Sequence, residues 1–175
     1  MIISVSEAKE LVNIGDWSDK KIERKLKAIE QVIRLYTNNN FQKRTYRRAA
    51  DIVGSLFVVD ALTPFEVDDT VQVSESDLNA GLYTIASVDN ATFTVNEDVR
   101  DENEVLVTKV EYPEDVIDCC INMLEWEVKY RSKIGIKSET LSRHSVTYDH
   151  DTNNLIMGYP AGLLGCLNQY KKARC

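Results

Sequence analysis

The hydrophobic period of this chain changes twice, and these changes limit the folds that it can adopt. Over residues 22–36 apolar side chains recur at every third or fourth position, which predicts an amphipathic helix. From about Leu56 to Val110 the period becomes two, as expected of half-buried strands. Pro113 and the two acidic residues after it then predict a second long helix, over 113–131. A β segment therefore interrupts a helical chain.

The β segment predicts an inserted lobe in an α+β protein. Turn-forming residues divide it into about five short antiparallel strands, and closure into a small barrel or sandwich would protect their edges. The helical parts predict a small bundle, completed by a final helix that opens at Pro160. We therefore predict a discontinuous helical domain from residues 1–49 and 110–175, interrupted by an acidic β insert over 50–109.

Charge is divided unevenly along the sequence. The 175 residues carry a net charge of −7, but residues 1–48 carry +5, residues 49–118 carry −15 and residues 119–175 carry +3. With 43% apolar residues the chain can bury a core, so disorder is not expected. An acidic middle between basic ends permits a basic surface that is held apart from an acidic one. The charge of a binding partner would therefore depend on which lobe it contacts.

The cysteines and the chain start predict a protein of a reducing cytoplasm. The first residues lack the charged and apolar regions of a signal peptide. Residues 152–170 carry no charge, but their glycine, proline and asparagine content favours a core or docking segment over a membrane helix. The cysteines are spaced too irregularly for a disulfide framework and are expected to be free thiols: Cys119, Cys120, Cys166 and Cys175.

The sequence contains no motif of a known catalytic or cofactor site, so we expect neither enzymatic activity nor a cofactor or metal. The enzymatic alternative is a cysteine hydrolase or a metal site around Cys119, His144 and Asp149. It requires a thiol with a lowered pKa, whereas Cys119 lies in a mostly apolar helix, which raises a thiol pKa. The triplet at 149–151 lacks an evident fourth metal ligand.

Basic and aromatic residues alternate at one place, residues 41–48. Such a stretch suits contact with phosphates and stacking on bases, and would support a small nucleic-acid-binding module. The alternative is a charged connector into the β lobe. Possible contacts to DNA are Lys43, Arg44, Arg47 and Arg48.

The order of elements resembles the head–tail connector family of long-tailed bacteriophages. The resemblance rests on three segments above all: Ser6-Glu-Ala-Lys-Glu-Leu, Ile33-Arg-Leu-Tyr-Thr with Phe41 soon after, and Tyr112-Pro-Glu-Asp-Val, which restarts the helix. A glycine-led segment with a serine-rich arm follows from Gly135, and Gly158-Tyr-Pro-Ala-Gly precedes a closing helix. The chain differs from the shortest members of that family by its acidic β lobe, which resembles the small SH3-like barrels of phage structural proteins.

The resemblance implies a structural role in the virion neck, after assembly in the host bacterial cytoplasm. It implies a ring of copies, commonly a dodecamer, that binds the portal protein, receives a stopper, head-completion or tail-completion protein, and surrounds the exiting double-stranded DNA. Another neck component is the alternative within the same context. The C-terminal end combines a neutral apolar stripe with a basic terminus, so we predict portal docking by Leu163, Leu167, Tyr170, Lys171, Lys172 and Arg174.

Overall fold

The chain folds into two compact units, a discontinuous helical one and a continuous β one. The computed structural model describes residues 1–131, 138–141, 144–147 and 155–173, the two short middle ranges as backbone only. One unit combines residues 1–39 with 113–175, and the other spans residues 40–112. The predicted α+β fold, a helical frame interrupted by a β-barrel, is confirmed.

Three α-helices and a terminal 3-10 helix occupy the described part of the helical unit. Helix α1 (Val5–Leu11) begins with a capping box, in which the Ser4 hydroxyl accepts from the Glu7 amide and the Glu7 carboxylate accepts from the Ser4 amide. Helices α2 (Asp19–Thr37) and α3 (Glu114–Tyr130) form the two long elements. Helix α2 ends where Asn38 adopts a left-handed conformation with φ of 48°.

The core of the helical unit lies where α2, α3 and the terminal helix pack together. The helix predicted to open at Pro160 is a 3-10 helix, Ala161–Tyr170. In a 3-10 helix side chains three residues apart lie on the same face, so Leu164 and Leu167 both point into the core. The fully buried residues that they join are Ile22, Leu26, Ile29 and Ile33 of α2, and Val116, Cys120, Met123 and Leu124 of α3.

The β unit is a closed antiparallel barrel of six strands in the order β1-β2-β5-β4-β3-β6, where about five had been predicted. The strands are β1 (Gln42–Val53), β2 (Leu56–Val59), β3 (Thr70–Ser74), β4 (Gly81–Asp89), β5 (Thr92–Val95) and β6 (Glu102–Val110). Closure leaves no unpaired sheet edge. The barrel unit begins at residue 40 and not at the predicted residue 50, because the stretch 42–53 is one continuous strand whose residues 47–50 pair with residues 105–108 of β6.

Aromatic side chains fill the barrel. Phe57 and Phe93 are opposite each other on β2 and β5, and their rings stack with centroids 4.6 Å apart. Phe65 meets the edge of the Phe93 ring at 5.4 Å. Strands β1 and β2 are joined by a two-residue turn in which Gly54 and Ser55 both have positive φ, 57° and 70°, as a tight hairpin requires.

Two short hairpins lie between α3 and the terminal helix. Strands β7 (Ser138–Leu141) and β8 (His144–Thr147) form one, and β9 (Leu155–Ile156) and β10 (Tyr159–Pro160) form the other. The triplet at 149–151, which the metal-site alternative would use, lies outside the described residues. Among the helices that the structure describes, none is both long and apolar enough to cross a membrane.

Candidate assembly surfaces

The C-terminal segment, residues 155–173, runs antiparallel along α3 and is tied to it at four levels. The Tyr170 hydroxyl donates to Asp115 at 2.6 Å, and the Cys119 thiol donates to the Leu163 carbonyl at 3.1 Å. Later residues of the segment bond to earlier residues of α3 and its C-cap. The pairs are Tyr170 with Asp115, Leu163 with Cys119, Tyr159 with Glu127, and Gly158 with Arg131. This register fixes the path of the segment over most of α3.

The end of α2 holds the last described residues of the segment. The Asn38 side chain donates to the Ala173 carbonyl at 3.0 Å, and the Asn39 side chain donates to the Tyr170 carbonyl at 3.2 Å. The Lys172 amide donates to the Thr37 carbonyl at 2.8 Å. These bonds satisfy carbonyl and amide groups that a helix end leaves open, so the asparagines that terminate α2 also anchor the chain end.

The predicted portal-docking residues have different positions in this arrangement. Leu167 is fully buried in the core of the helical unit, so its assignment as a docking residue was wrong. Leu163 and Tyr170 are half-buried, and the Tyr170 hydroxyl is engaged by Asp115. Lys171 and Lys172 are exposed, with the Lys171 ammonium 3.8 Å from the centre of the Tyr36 ring. Arg174 lies outside the described residues.

A buried carboxylate joins α2, α3 and the β9–β10 hairpin. The side chain of Glu127 is 1% exposed and accepts from the Tyr159 hydroxyl at 2.7 Å. Its oxygens also lie 3.0 Å from Lys25 Nζ and 3.0 Å from Arg131 Nη2. The Arg131 guanidinium lies over the rings of Trp126 and Tyr159 and donates to the Gly158 carbonyl at 3.1 Å. Two cations and one hydroxyl therefore compensate the desolvated charge of Glu127.

Internal contacts engage three of the four basic residues that were candidates for DNA contact. Lys43 forms an ion pair with Glu111, which raises the pKa of Lys43. Arg47 donates to the Thr108 hydroxyl at 2.9 Å, and Arg48 donates to the Arg47 carbonyl at 2.8 Å. Of the four, Arg44 is exposed, and the other three are half-buried.

The charge around these four residues also opposes a phosphate site. The barrel unit carries 6 basic against 14 acidic residues, a net charge of −8. A phosphate at β1 would have to compete with bonds already made, in an acidic surrounding.

The polar face of α2, to which the sequence interpretation assigned no role, carries a cationic stripe. Lys20, Arg24 and Lys27 are exposed and spaced three or four residues apart, so they share one face of the helix. Lys21 lies beside them, with its ammonium 3.7 Å from the centre of the Trp17 ring. The signal was present in the sequence as the polar positions between the buried isoleucines.

The barrel presents the opposite charge. Eleven of its carboxylates are exposed, distributed over its turns and strand ends. Between them three apolar side chains are exposed on the outer face of the β1–β2 hairpin, Val53, Leu56 and Val58 at 58%, 36% and 40% exposure, with the exposed Asp51 opposite Val58. Exposed apolar side chains of this kind suit contact with a protein partner.

No protein-family model and no curated protein matches the chain. The resemblance to phage connectors therefore remains a prediction, and the surfaces themselves provide the argument for function.

The thiols named in the enzymatic alternative have raised pKa values. Burial raises the pKa of Cys120 to about 12, and burial likewise raises the pKa of Cys119. Of the alternative's other residues, His144 lies in β8, and Asp149 falls outside the described residues. Within the described ranges no three His, Cys, Asp or Glu side chains group as metal ligands would. A low-pKa nucleophile is not present at Cys119 or Cys120.

We expect Cys120 to react slowly with iodoacetamide in the native protein. With a pKa of about 12 instead of 9.0, its thiolate fraction at pH 8 is lower by about a thousandfold, and burial adds a steric barrier. Peptide mass spectrometry after timed labelling at pH 8 would measure the rate, with the same residue in denaturant as the control. Equal rates in the two conditions would contradict the buried, protonated thiol.

Proposed function

We propose that the chain is a structural subunit of a phage head–tail connector. Copies would form a ring between the portal and the stopper or tail-completion protein, in the virion neck, around the DNA exit channel. The observation that supports the proposal best is the separation of charge between two surfaces, a cationic stripe on α2 and an acidic barrel. Another neck component, such as the stopper itself, is the alternative.

Opposite charges on two different surfaces favour a closed ring. Head-to-tail association needs two unlike, complementary patches on each subunit, and it generates a ring when the rotation closes. The cationic stripe of one copy and the acidic barrel surface of the next would meet that need, with the exposed Val53, Leu56 and Val58 as a candidate centre of the contact. Self-association of this kind requires no other partner, although the portal could template it.

The same charges indicate which parts would avoid the DNA. A barrel with a net charge of −8 would be repelled by phosphates, so we place it away from the channel. Lys171 and Lys172, which are exposed at the chain end, remain the candidates for docking on the portal. Any contact with the passing DNA would be without sequence specificity, through exposed cations such as Arg44.

Imaging of reconstituted necks tests the proposal directly. Purified chain would be mixed with portal-bearing heads that lack the connector, and the necks would be examined by electron cryomicroscopy with symmetry averaging. We expect an added ring below the portal whose subunits accommodate a helical unit and a barrel. Heads whose necks gain no density would refute the portal-binding role, and density found only after a stopper is added would favour the alternative neck component.

Charge reversal on α2 should weaken ring formation. In Lys20→Glu/Arg24→Glu two exposed cations become anions, so attraction to the acidic barrel of a neighbouring copy becomes repulsion. Each lost contact is worth about 1 kcal/mol. Together they should lower the occupancy of portal-bearing heads roughly tenfold or more. The variant Lys9→Glu/Lys129→Glu changes net charge equally at two exposed cations of the helical unit that lie outside the stripe, and it is the matched control.

Sedimentation of heads with labelled chain would measure this occupancy, and circular dichroism would confirm that both variants are folded. Equal loss in the two variants would indicate an effect of net charge alone. Full occupancy by the α2 variant would exclude its stripe from the ring contact.

A further inference from the structure

Two thiols meet where the terminal helix crosses α3. Cys119 Sγ lies 3.1 Å from the Leu163 carbonyl oxygen, and Cys166 Sγ lies 3.6 Å from the same oxygen. Both sulfurs therefore lie next to the same carbonyl oxygen. They thus occupy one small volume, although 119 and 166 are far apart in sequence.

Neighbouring contacts hold the two elements in register at this point. One helical turn before Cys119, Asp115 accepts from the Tyr170 hydroxyl and from the Gln169 side chain, both at 2.6 Å. These bonds hold the backbone of the terminal helix beside α3 near the two thiols. A disulfide further requires the two Cα atoms to lie within about 7 Å of each other, and cross-linking of the native protein tests that spacing.

The two thiols differ in access, and Cys120 is set apart from them. Cys166 is exposed, whereas Cys119 is buried beneath it. Cys120 follows Cys119 directly, but adjacent helical side chains point about 100° apart, and Cys120 lies near Glu30 instead. In redox-active cysteine pairs, an exposed thiol reacts with the oxidant first. A protected thiol beside it then displaces the oxidant's remnant and forms the disulfide.

We infer that Cys119 and Cys166 are a redox-active pair that closes to a disulfide in the presence of a small-molecule disulfide such as oxidised glutathione. In the first step the Cys166 sulfur attacks glutathione disulfide, forms a mixed disulfide and releases one glutathione thiolate. In the second the Cys119 sulfur, after losing its proton, attacks the Cys166 sulfur and displaces the second glutathione thiolate. The two protein thiols lose two electrons and two protons, and one glutathione disulfide becomes two glutathione molecules.

Closure would attach the terminal helix covalently to α3. Cysteine pairs of this kind stay reduced in a reducing compartment and form a disulfide in an oxidising one. The pair would therefore respond when the protein passes from a reducing to an oxidising compartment. The closed form would restrict the segment that carries Lys171 and Lys172. Because burial raises the pKa of Cys119, the second step should be slow near neutral pH and faster as the pH rises.

Oxidation of the full-length native chain with oxidised glutathione at pH 8 tests the inference. Non-reducing peptide mass spectrometry should find a Cys119–Cys166 cross-link that dithiothreitol reverses, and the urea midpoint of the oxidised helical unit should exceed that of the reduced one. Cys166→Ser should abolish both the cross-link and the shift of the midpoint. Cys120→Ala, which adds no polar group to the core, should retain both, and it is the matched control.

Three outcomes would overturn the inference. They are a glutathione adduct that persists on Cys166 without resolution, a cross-link of Cys166 to Cys175 in place of Cys119, and an unchanged urea midpoint in fully cross-linked protein. Cys166→Ser tests the pair at an exposed position, so the experiment stands even if Cys119→Ser fails to fold.

Discussion

Replacing Glu127 by alanine should lower the free energy of unfolding of the helical unit by about 3 kcal/mol or more. The variant leaves Lys25 and Arg131 facing each other without the carboxylate that lies 3.0 Å from each, and it removes the acceptor of the buried Tyr159 hydroxyl. Both cations are partly exposed, so water compensates them in part and holds the loss near the lower end of the range for broken buried ion pairs. Three elements lose their common partner in a single substitution.

Urea unfolding followed by circular dichroism would measure this loss, and the same helix provides the control. Glu125 forms an exposed ion pair with Lys129 one turn along α3, so Glu125→Ala should cost no more than about 0.5 kcal/mol. Glu127→Gln keeps an acceptor for Tyr159 and should fall between the two alanine variants. If Glu127→Ala and Glu125→Ala unfold at the same midpoint, the buried network contributes nothing to stability.

The Glu127 network could not have been predicted from the sequence, for a physical reason. Its partners, Lys25 and Tyr159, are distant along the chain, and no local pattern marks a glutamate in an amphipathic helix as buried. Periodicity reports which face of α3 is apolar, but it does not report which neighbour that face meets. Long-range pairing of charges is decided by tertiary packing.

The barrel shows what the sequence could and could not predict. Alternation from about Leu56 onward correctly indicated strands, and its apolar positions Val71, Val73, Ile85 and Phe93 lie in the barrel core, whereas Val67 is exposed. Residues 42–49 of strand β1 were assigned to the helical frame because four cations between residues 43 and 48 hide the alternation. The pairing register also shifts between Gln42 and Arg47, so a period of two does not hold there.

The basic stretch itself illustrates why composition alone does not identify a nucleic-acid site. Lys43, Arg47 and Arg48 were predicted as DNA contacts, and each makes an ion pair or hydrogen bond within the barrel. The cations of α2 occupy the ordinary polar face of a helix, so their sequence pattern does not indicate a contact surface. Exposure, which only the folded chain determines, separates the two groups.

Replacing Leu167 by alanine should destabilise the helical unit by about 2–5 kcal/mol, the range for a leucine truncated in a packed core. Leu167 is fully buried with Leu164 on one face of the terminal helix, against α2 and α3. The matched control is Leu163→Ala, because Leu163 is only half-buried on the same helix and its truncation opens a smaller cavity. Urea midpoints of the two variants provide the comparison.

The result also decides how portal docking can be tested. If Leu167 belongs to the core, deleting residues 160–175 would remove buried leucines and unfold the unit, so loss of portal binding in such a deletion would not report on docking. The exposed pair Lys171→Glu/Lys172→Glu leaves the core intact, and the Lys172 backbone amide still bonds to Thr37. Loss of portal binding by a stable double variant would therefore assign docking to the basic chain end. A Leu167→Ala variant as stable as Leu163→Ala would instead return Leu167 to the docking surface.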